Sequence, residues 1–235
     1  MRPRLYILAP SHYCERARWG LDHAGIDYDE IRWAPVLHLP LARRLAPATS
    51  LPILQTGTAV IQGSDRILDW LGTEGGAPAV EQRMSEVIAP LARRFLYAAT
   101  LADPHSRIRC ALLEGVPTGH RLAGHLLWPL IRRLMTGKMA AHPEHLADLQ
   151  GRLENELAWF DTVIGQREHL VGNRLGRADI TAASLLAPLV RGPAVVPLYD
   201  RVRLPPAVEQ ALLRWSRRPS LTWVRGIYAT HRAPL

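Results

Sequence analysis

Cysteine is almost absent from this chain of 235 residues, which holds only Cys14 and Cys110. Two cysteines cannot form the disulfide framework of a small secreted protein, so a reducing compartment is expected. Long apolar runs are missing as well. The run 126–131 is ended by two arginines, and the apolar stretch before Pro10 is too short for a signal peptide. These absences predict a soluble, cytoplasmic protein without a membrane partner.

Negative charge is also in short supply, since 29 lysine and arginine residues face 21 aspartate and glutamate residues, for a net charge of +8. An excess of this kind can indicate a nucleic-acid partner. Here, however, the basic residues are mostly arginine in short scattered pairs, and no basic block is interleaved with aromatic residues. We therefore interpret the charge as an arginine-rich solvated surface and expect no nucleic-acid partner.

The first part of the chain alternates strand and helix patterns. The segments predicted from apolar spacing and turn residues are 4–8, 13–24, 27–33, 37–45, 52–56, 59–62 and 64–71, of which the first, third, fifth and sixth are strands. The order β-α-β-α-β-β-α predicts parallel strands at the start, and the hairpin signal Gly57-Thr58 adds an antiparallel strand.

Strand patterns end beyond residue 73. Residues 74–81 contain glycine and proline and are interpreted as a linker. The stretches that follow are helical in pattern at 81–102, 120–139, 145–164, 178–189 and 206–215. We predict an α/β domain over 1–73, joined through the linker to an all-α helical bundle over 82–235.

The stretch Ser11-His12-Tyr13-Cys14 lies between the first predicted strand and the first predicted helix. Ser11 therefore falls at or just before a helix N-terminus, where unpaired N–H groups and the helix dipole favour an anion such as a thiolate. A serine in this place is also an ordinary N-cap. The local sequence does not decide between the two roles.

Four segments in order resemble the cytosolic glutathione transferase family. Ser11-x-x-Cys14 has the spacing of the theta class, and 46–52 resembles the run that leads to the family's cis-proline. Residues 61–71 resemble its fourth strand, glutamyl-binding serine and third helix, and 170–180 resemble the N-capping segment of its helical domain. This resemblance covers nearly the whole chain. It implies a thioredoxin-like N-terminal domain followed by a helical bundle, a homodimer, and glutathione as cosubstrate without a metal.

The resemblance also implies roles for individual residues. Ser11 would hold the glutathione sulfur as a thiolate, the form of a thiol that acts as a nucleophile. The main chain of Leu51, before a cis Pro52, would pair with the cysteinyl part of glutathione. Ser64 would hold the γ-glutamyl carboxylate and His38 the glycyl carboxylate. The activated thiolate would attack a small hydrophobic electrophile.

Two positions depart from the family pattern. The residue before the glutamyl-binding serine is usually acidic or glutamine, whereas here it is Gly63. The α-amino group of glutathione would then pair with Asp65, pair across a dimer interface, or stay in water. In the helical domain, Gly176 replaces a serine or threonine cap and leaves Asp179 without its reciprocal partner. Three aromatic residues are candidates for the electrophile pocket: Tyr13, Tyr97 and Trp128.

Two other functions stay open. Cys14, one turn into the first helix, could form a mixed disulfide with glutathione and act as a thiol oxidoreductase; otherwise it is a small buried apolar residue. A non-catalytic binding or scaffold protein would keep the fold without the chemistry. Gly63 and the positive charge favour that scaffold, whereas Ser11, Pro52 and Ser64 together oppose it. The histidines match no zinc-binding spacing, so no metal is expected.

Overall fold

The computed structural model of this chain describes residues 2–192 and 195–232. They form two compact units. The first contains the chain up to Thr73 together with Arg109–Met135, and the second contains Glu74–Ile108 together with the chain from Thr136 onward. These are units of packing, and the domain boundaries given above stay a prediction.

The first unit is built on a four-stranded mixed sheet. Its strands are β1 (Arg4–Ile7), β2 (Asp29–Arg32), β3 (Ile53–Gln55) and β4 (Val60–Gln62), in the order β2-β1-β3-β4. β1 runs parallel to β2, while β3 runs antiparallel to both β1 and β4. The predicted thioredoxin-like topology is confirmed.

Three helices cover this sheet: α1 (His12–His23), α2 (Leu39–Leu45) and α3 (Ser64–Trp70). Because side chains alternate along a strand, Leu5 and Ile7 of β1 pack in the cluster that holds α1 and α3, whereas Tyr6 packs in the cluster that holds α2. A Cβ on Gly20 of α1 would overlap the Leu68 side chain of α3. A glycine is therefore required where these two helices meet.

Three further helices follow residue 107: α6 (Ile108–Leu112), α7 (Thr118–Leu126) and α8 (Trp128–Met139). The continuous helix predicted over 120–139 is wrong, because the chain leaves helical geometry at Leu127, with φ −89° and ψ 9°. Pro129 explains the break, since proline has no N–H with which to continue the helical hydrogen bonds.

The second unit is helical in the residues described. Its elements are α4 (Pro78–Arg83), a π-helical turn (Met84–Ile88), α5 (Ala89–Thr100), a 3-10 turn (Pro143–His145), α9 (Leu146–Ile164), α10 (Arg177–Val190), α11 (Pro197–Asp200), α12 (Pro206–Trp215) and α13 (Pro219–His231). α10 is the central helix, since its residues from Ala178 onward are buried and it packs against α5 and α13. No helix within 2–192 or 195–232 combines the length and the apolar character needed to cross a membrane.

Asp179 connects the start of α10 to the loop before it. Its Oδ1 accepts the Leu170 N–H at 2.7 Å, and its Oδ2 accepts the Gly176 N–H at 2.9 Å. Gly176 has no side chain to complete a capping box, so the carboxylate binds two backbone donors instead. Burial raises the pKa of Asp179, although both N–H groups and the nearby His169 act in the opposite direction.

Candidate active site at the start of the first helix

Ser11 is the N-cap of α1. Its backbone is extended, with φ −83° and ψ 121°, and its Oγ accepts the Cys14 N–H at 3.4 Å. The side chain is half-buried. A serine hydroxyl that accepts one hydrogen bond still has its own proton to donate. The N-cap role is thus observed, and it leaves Ser11 able to donate a hydrogen bond to an anion.

Cys14 lies beneath Ser11 and is fully buried, in the cluster that contains Leu5, Ile7 and Ala17. Burial raises the pKa of the Cys14 thiol, and the Ser11 hydroxyl and Arg18 offset this only in part. A buried thiol with a raised pKa is a poor nucleophile, because the reactive species is the thiolate. The geometry therefore favours the apolar packing role of Cys14 over the redox role.

The accessibility of the two thiols can be measured directly. Cys110 is exposed and Cys14 is buried, so a disulfide reagent should label one thiol per chain rapidly in the folded protein and both after denaturation. Cys110→Ser should abolish the fast reaction, whereas Cys14→Ser should leave it unchanged. Fast labelling that persists in Cys110→Ser would contradict the burial of Cys14 and revive the oxidoreductase alternative.

Ser64 and Arg16 form a buried pair in the same unit. Ser64, 2% exposed, is the first residue of α3, and the Arg16 Nε donates a hydrogen bond to its Oγ at 2.9 Å. The N-cap position of α3 belongs to Gly63. The Ser64 hydroxyl still has its proton to donate, and a guanidinium beside it favours a negatively charged partner.

Gly63 and Asp65 lie against each other on either side of Ser64. Gly63 has a φ of 102°, a backbone conformation that favours glycine, and its N–H donates to the Pro52 carbonyl at 3.0 Å. A Cβ placed on Gly63 would lie 2.7 Å from Asp65 Oδ1. The Asp65 carboxylate thus occupies the space from which a side chain at position 63 would extend.

Pro52 follows a cis peptide bond, as predicted, and is buried at the start of β3. The preceding Leu51 is half-buried and packs against both clusters of the sheet. His38 differs from its predicted role as a ligand for the glycyl carboxylate. It is buried, with Nδ1 3.3 Å from the Ala34 carbonyl and Nε2 3.1 Å from the Thr49 carbonyl. Because both ring nitrogens face the main chain, the structure argues against that role.

The three candidates for the electrophile pocket lie in different places. Tyr13 is half-buried in α1, with its ring centroid 4.6 Å from that of His12, and Trp128 is half-buried at the start of α8. Tyr97 belongs to α5, in the second unit. Their shared role in a pocket stays a prediction. Within the described residues, His, Cys, Asp and Glu form no group of three that could hold a metal ion.

Comparison with known proteins identifies the N-terminal domain. A family model described as glutathione S-transferase, N-terminal domain, matches residues 5–79. Among curated proteins, no sequence matches the chain significantly. The first part of the chain therefore carries a glutathione S-transferase N-terminal domain.

Solved structures share the fold over nearly the whole chain. A theta class glutathione S-transferase from Xanthomonas axonopodis pv. citri, with glutathione bound, is 18% identical at a TM-score of 0.57, covering 94% of this chain and 95% of its own. A glutathione S-transferase of Ceriporiopsis subvermispora in complex with glutathione is 13% identical at a TM-score of 0.67, covering 100% and 99%. The beta-etherase LigF from Sphingobium sp. strain SYK-6 is 15% identical at a TM-score of 0.58, covering 95% and 98%.

Sequence reasoning missed two residues at this site, Arg16 and Gln62. Arg16 contacts Ser64, which is 48 positions away in the chain. Gln62 binds the main chain of Ala48 and Ser50, across the turn that leads to Pro52. Neither pairing has a local signature, since helical or strand periodicity reports only on near neighbours.

Proposed function

We propose that this protein is a glutathione transferase that activates glutathione as a thiolate for attack on a small hydrophobic electrophile. The observation that carries this proposal is Ser11 at the N-cap of α1, half-buried and with its hydroxyl proton available. A hydroxyl and a helix N-terminus together stabilise a thiolate and lower the pKa of the bound thiol. Glutathione itself is bound in two of the structures with this fold.

Ser64, Arg16 and Asp65 support the binding of the γ-glutamyl end. The Ser64 hydroxyl beside the buried Arg16 guanidinium suits the α-carboxylate. Asp65, whose carboxylate lies over Gly63, suits the α-amino group. We therefore assign to Asp65 the role that an acidic residue before the serine has in the family pattern. The Leu51 main chain would pair with the cysteinyl part.

The two alternatives are weighed by the same geometry. The buried Cys14 opposes a thiol oxidoreductase. Gly63 favoured the scaffold alternative because it removes the acidic residue before Ser64. This argument no longer holds if the Asp65 carboxylate replaces that acid. The homodimer, the cytoplasmic location and the identity of the electrophile stay predictions.

Glutathione affinity of Ser64→Ala tests the proposal. Calorimetry should show binding weakened by ~1.5–3 kcal/mol, the range for a hydrogen bond to a charged group. An analogue of glutathione without the γ-glutamyl α-carboxylate is the matched control. It should bind the parent protein more weakly than glutathione binds the variant, because it also loses the attraction of the Arg16 guanidinium, and Ser64→Ala should weaken its binding no further.

Two outcomes would count against this function. If the parent protein binds no glutathione at millimolar concentration and conjugates no general electrophile, the scaffold alternative stands. If glutathione binds but Ser64→Ala, correctly folded by circular dichroism, keeps full affinity, Ser64 does not belong to the site.

A further inference from the structure

The segment 48–50, immediately before Leu51 and Pro52, lies outside the helices and strands. Its main-chain groups cannot find partners in a regular ladder, and on this exposed stretch side chains bind them instead. Gln62 of β4 binds them on one side: its Oε1 accepts the Ala48 N–H at 3.1 Å, and its Nε2 donates to the Ala48 carbonyl at 2.9 Å and to the Ser50 carbonyl at 2.8 Å. One amide side chain thus satisfies three main-chain groups of this segment.

His38 binds the remaining carbonyl of the same segment. It is the N-cap residue of α2 and is buried, with Nε2 3.1 Å from the Thr49 carbonyl. Its Nδ1 lies 3.3 Å from the Ala34 carbonyl. With its proton on Nε2, the nitrogen of the shorter contact, His38 donates to Thr49, so side chains from β4 and from the N-cap of α2 bind the carbonyls of three consecutive residues, Ala48, Thr49 and Ser50.

This arrangement connects the segment to the rigid part of the sheet. Gln62 is paired with Ile53 in the β3–β4 ladder. The residue that binds segment 48–50 is therefore part of the same sheet as the strand that follows Pro52. Leu51 lies between the segment 48–50 and that strand. Ordering a main-chain residue costs conformational entropy, and a residue that is ordered before binding spares the ligand that cost.

We propose that Gln62 and His38 are positioning residues, which together preset the Leu51 main chain for the cysteinyl part of glutathione. The proposal rests on the proposed function, because it takes glutathione as the ligand. Neither side chain is assigned a contact with glutathione. Both act through the segment 48–50, so they should govern glutathione affinity and leave activation of the sulfur by Ser11 unaffected.

Gln62→Glu is the sharpest test, because it keeps the size of the side chain and changes one hydrogen-bond donor into an acceptor. An oxygen replaces the donor Nε2 and faces the Ala48 and Ser50 carbonyls, which repel it. Gln55→Glu is the matched control on the neighbouring strand, since its Oε1 only accepts from the Tyr6 hydroxyl at 2.8 Å and a carboxylate can do the same.

We expect Gln62→Glu to raise the KM for glutathione about 5- to 20-fold, the range that losing one to two neutral hydrogen bonds allows. The value of kcat should stay within about 2-fold of the parent, and the pKa of the bound thiol within about 0.3. His38→Leu should act in the same direction. Since both side chains bind one segment, the double variant should raise the KM by less than the product of the two single-variant increases. Amide exchange at Ala48, whose N–H donates to Gln62 Oε1, should accelerate in both variants when no glutathione is present.

The outcomes separate this inference from the proposed function. If the parent protein does not bind glutathione, the proposed function fails and the inference falls with it. If the parent binds glutathione but Gln62→Glu matches Gln55→Glu in both KM and amide exchange, the positioning role is wrong and the proposed function stands. A Gln62→Glu variant that loses kcat and thiol activation together would also overturn a purely positioning role.

Discussion

Ser11→Ala should lower kcat/KM for conjugation about 10- to 100-fold. The loss of a hydrogen bond to a charged sulfur removes ~1.5–3 kcal/mol of stabilisation from the thiolate and from the transition state that follows it. The pKa of the bound glutathione thiol should rise accordingly, so the acidic limb of the pH–rate profile moves to higher pH. Both effects are measured by steady-state kinetics over pH and by ultraviolet titration of the bound thiol.

The N-cap role of Ser11 requires a control, because losing the cap destabilises α1 by about 1 kcal/mol. Ser11→Gly provides it, since glycine is a tolerated N-cap that lacks the hydroxyl. Ser11→Gly and Ser11→Ala should therefore lose equal activity, although only the alanine variant loses much stability. Cys14→Ser should keep most of the conjugation activity. A folded Ser11→Gly variant with unchanged kcat/KM would remove Ser11 from catalysis.

Asp179→Ala should lower the free energy of unfolding by about 2–5 kcal/mol, because each of two backbone donors that loses its acceptor costs about 1–3 kcal/mol. The Leu170 and Gly176 N–H groups both donate to this carboxylate and would be left without it. Chemical denaturation measures the change. The free energy of unfolding of Asp179→Asn should lie between those of the parent and Asp179→Ala, because its single carbonyl oxygen can serve only one of these donors.

The pH dependence of this effect follows from the direction of the pKa shift. Burial raises the pKa of Asp179 above its unfolded value of about 3.9. The stability that it contributes is then fully present below the unfolded pKa and declines as pH rises through the folded one. The difference between the parent and Asp179→Ala should thus be larger near pH 4 than at pH 7. A difference that shrinks toward acid would mean that the carboxylate is stabilised as an anion.

The N-terminal topology could be predicted because each element carries a local signal. The alternation of Leu5, Tyr6 and Ile7 fixes the two faces of β1, and Gly25, at φ 66°, ends the first helix as its pattern indicated. α13 was missed although Leu221, Val224 and Tyr228 are buried at helical spacing. The prediction ended α12 correctly at Trp215 but left out the helical spacing that resumes after Pro219.

The candidate site was predictable only where one residue carries the signal. Ser11 and the cis Pro52 have such signals in their immediate neighbours. The Arg16–Ser64 pair and the contacts of Gln62 arise when the folded sheet brings separate stretches together, which one-dimensional patterns do not encode. His38 shows the opposite error, since its position suggested a ligand contact and its ring binds the main chain.

The backbone at Gly63 and the close approach of Asp65 decide where an acidic residue fits best in this loop. An acidic residue introduced at position 63 while Asp65 is present would place its Cβ 2.7 Å from Asp65 Oδ1 and would hold a φ of 102° that only glycine adopts easily. Replacing Asp65 first would open the space but would leave both positions without a carboxylate. The Asp65 side chain can rotate away from this contact, but the positive φ remains unfavourable for any side chain at position 63, so an acid after the serine is easier to accommodate in this loop than an acid before it.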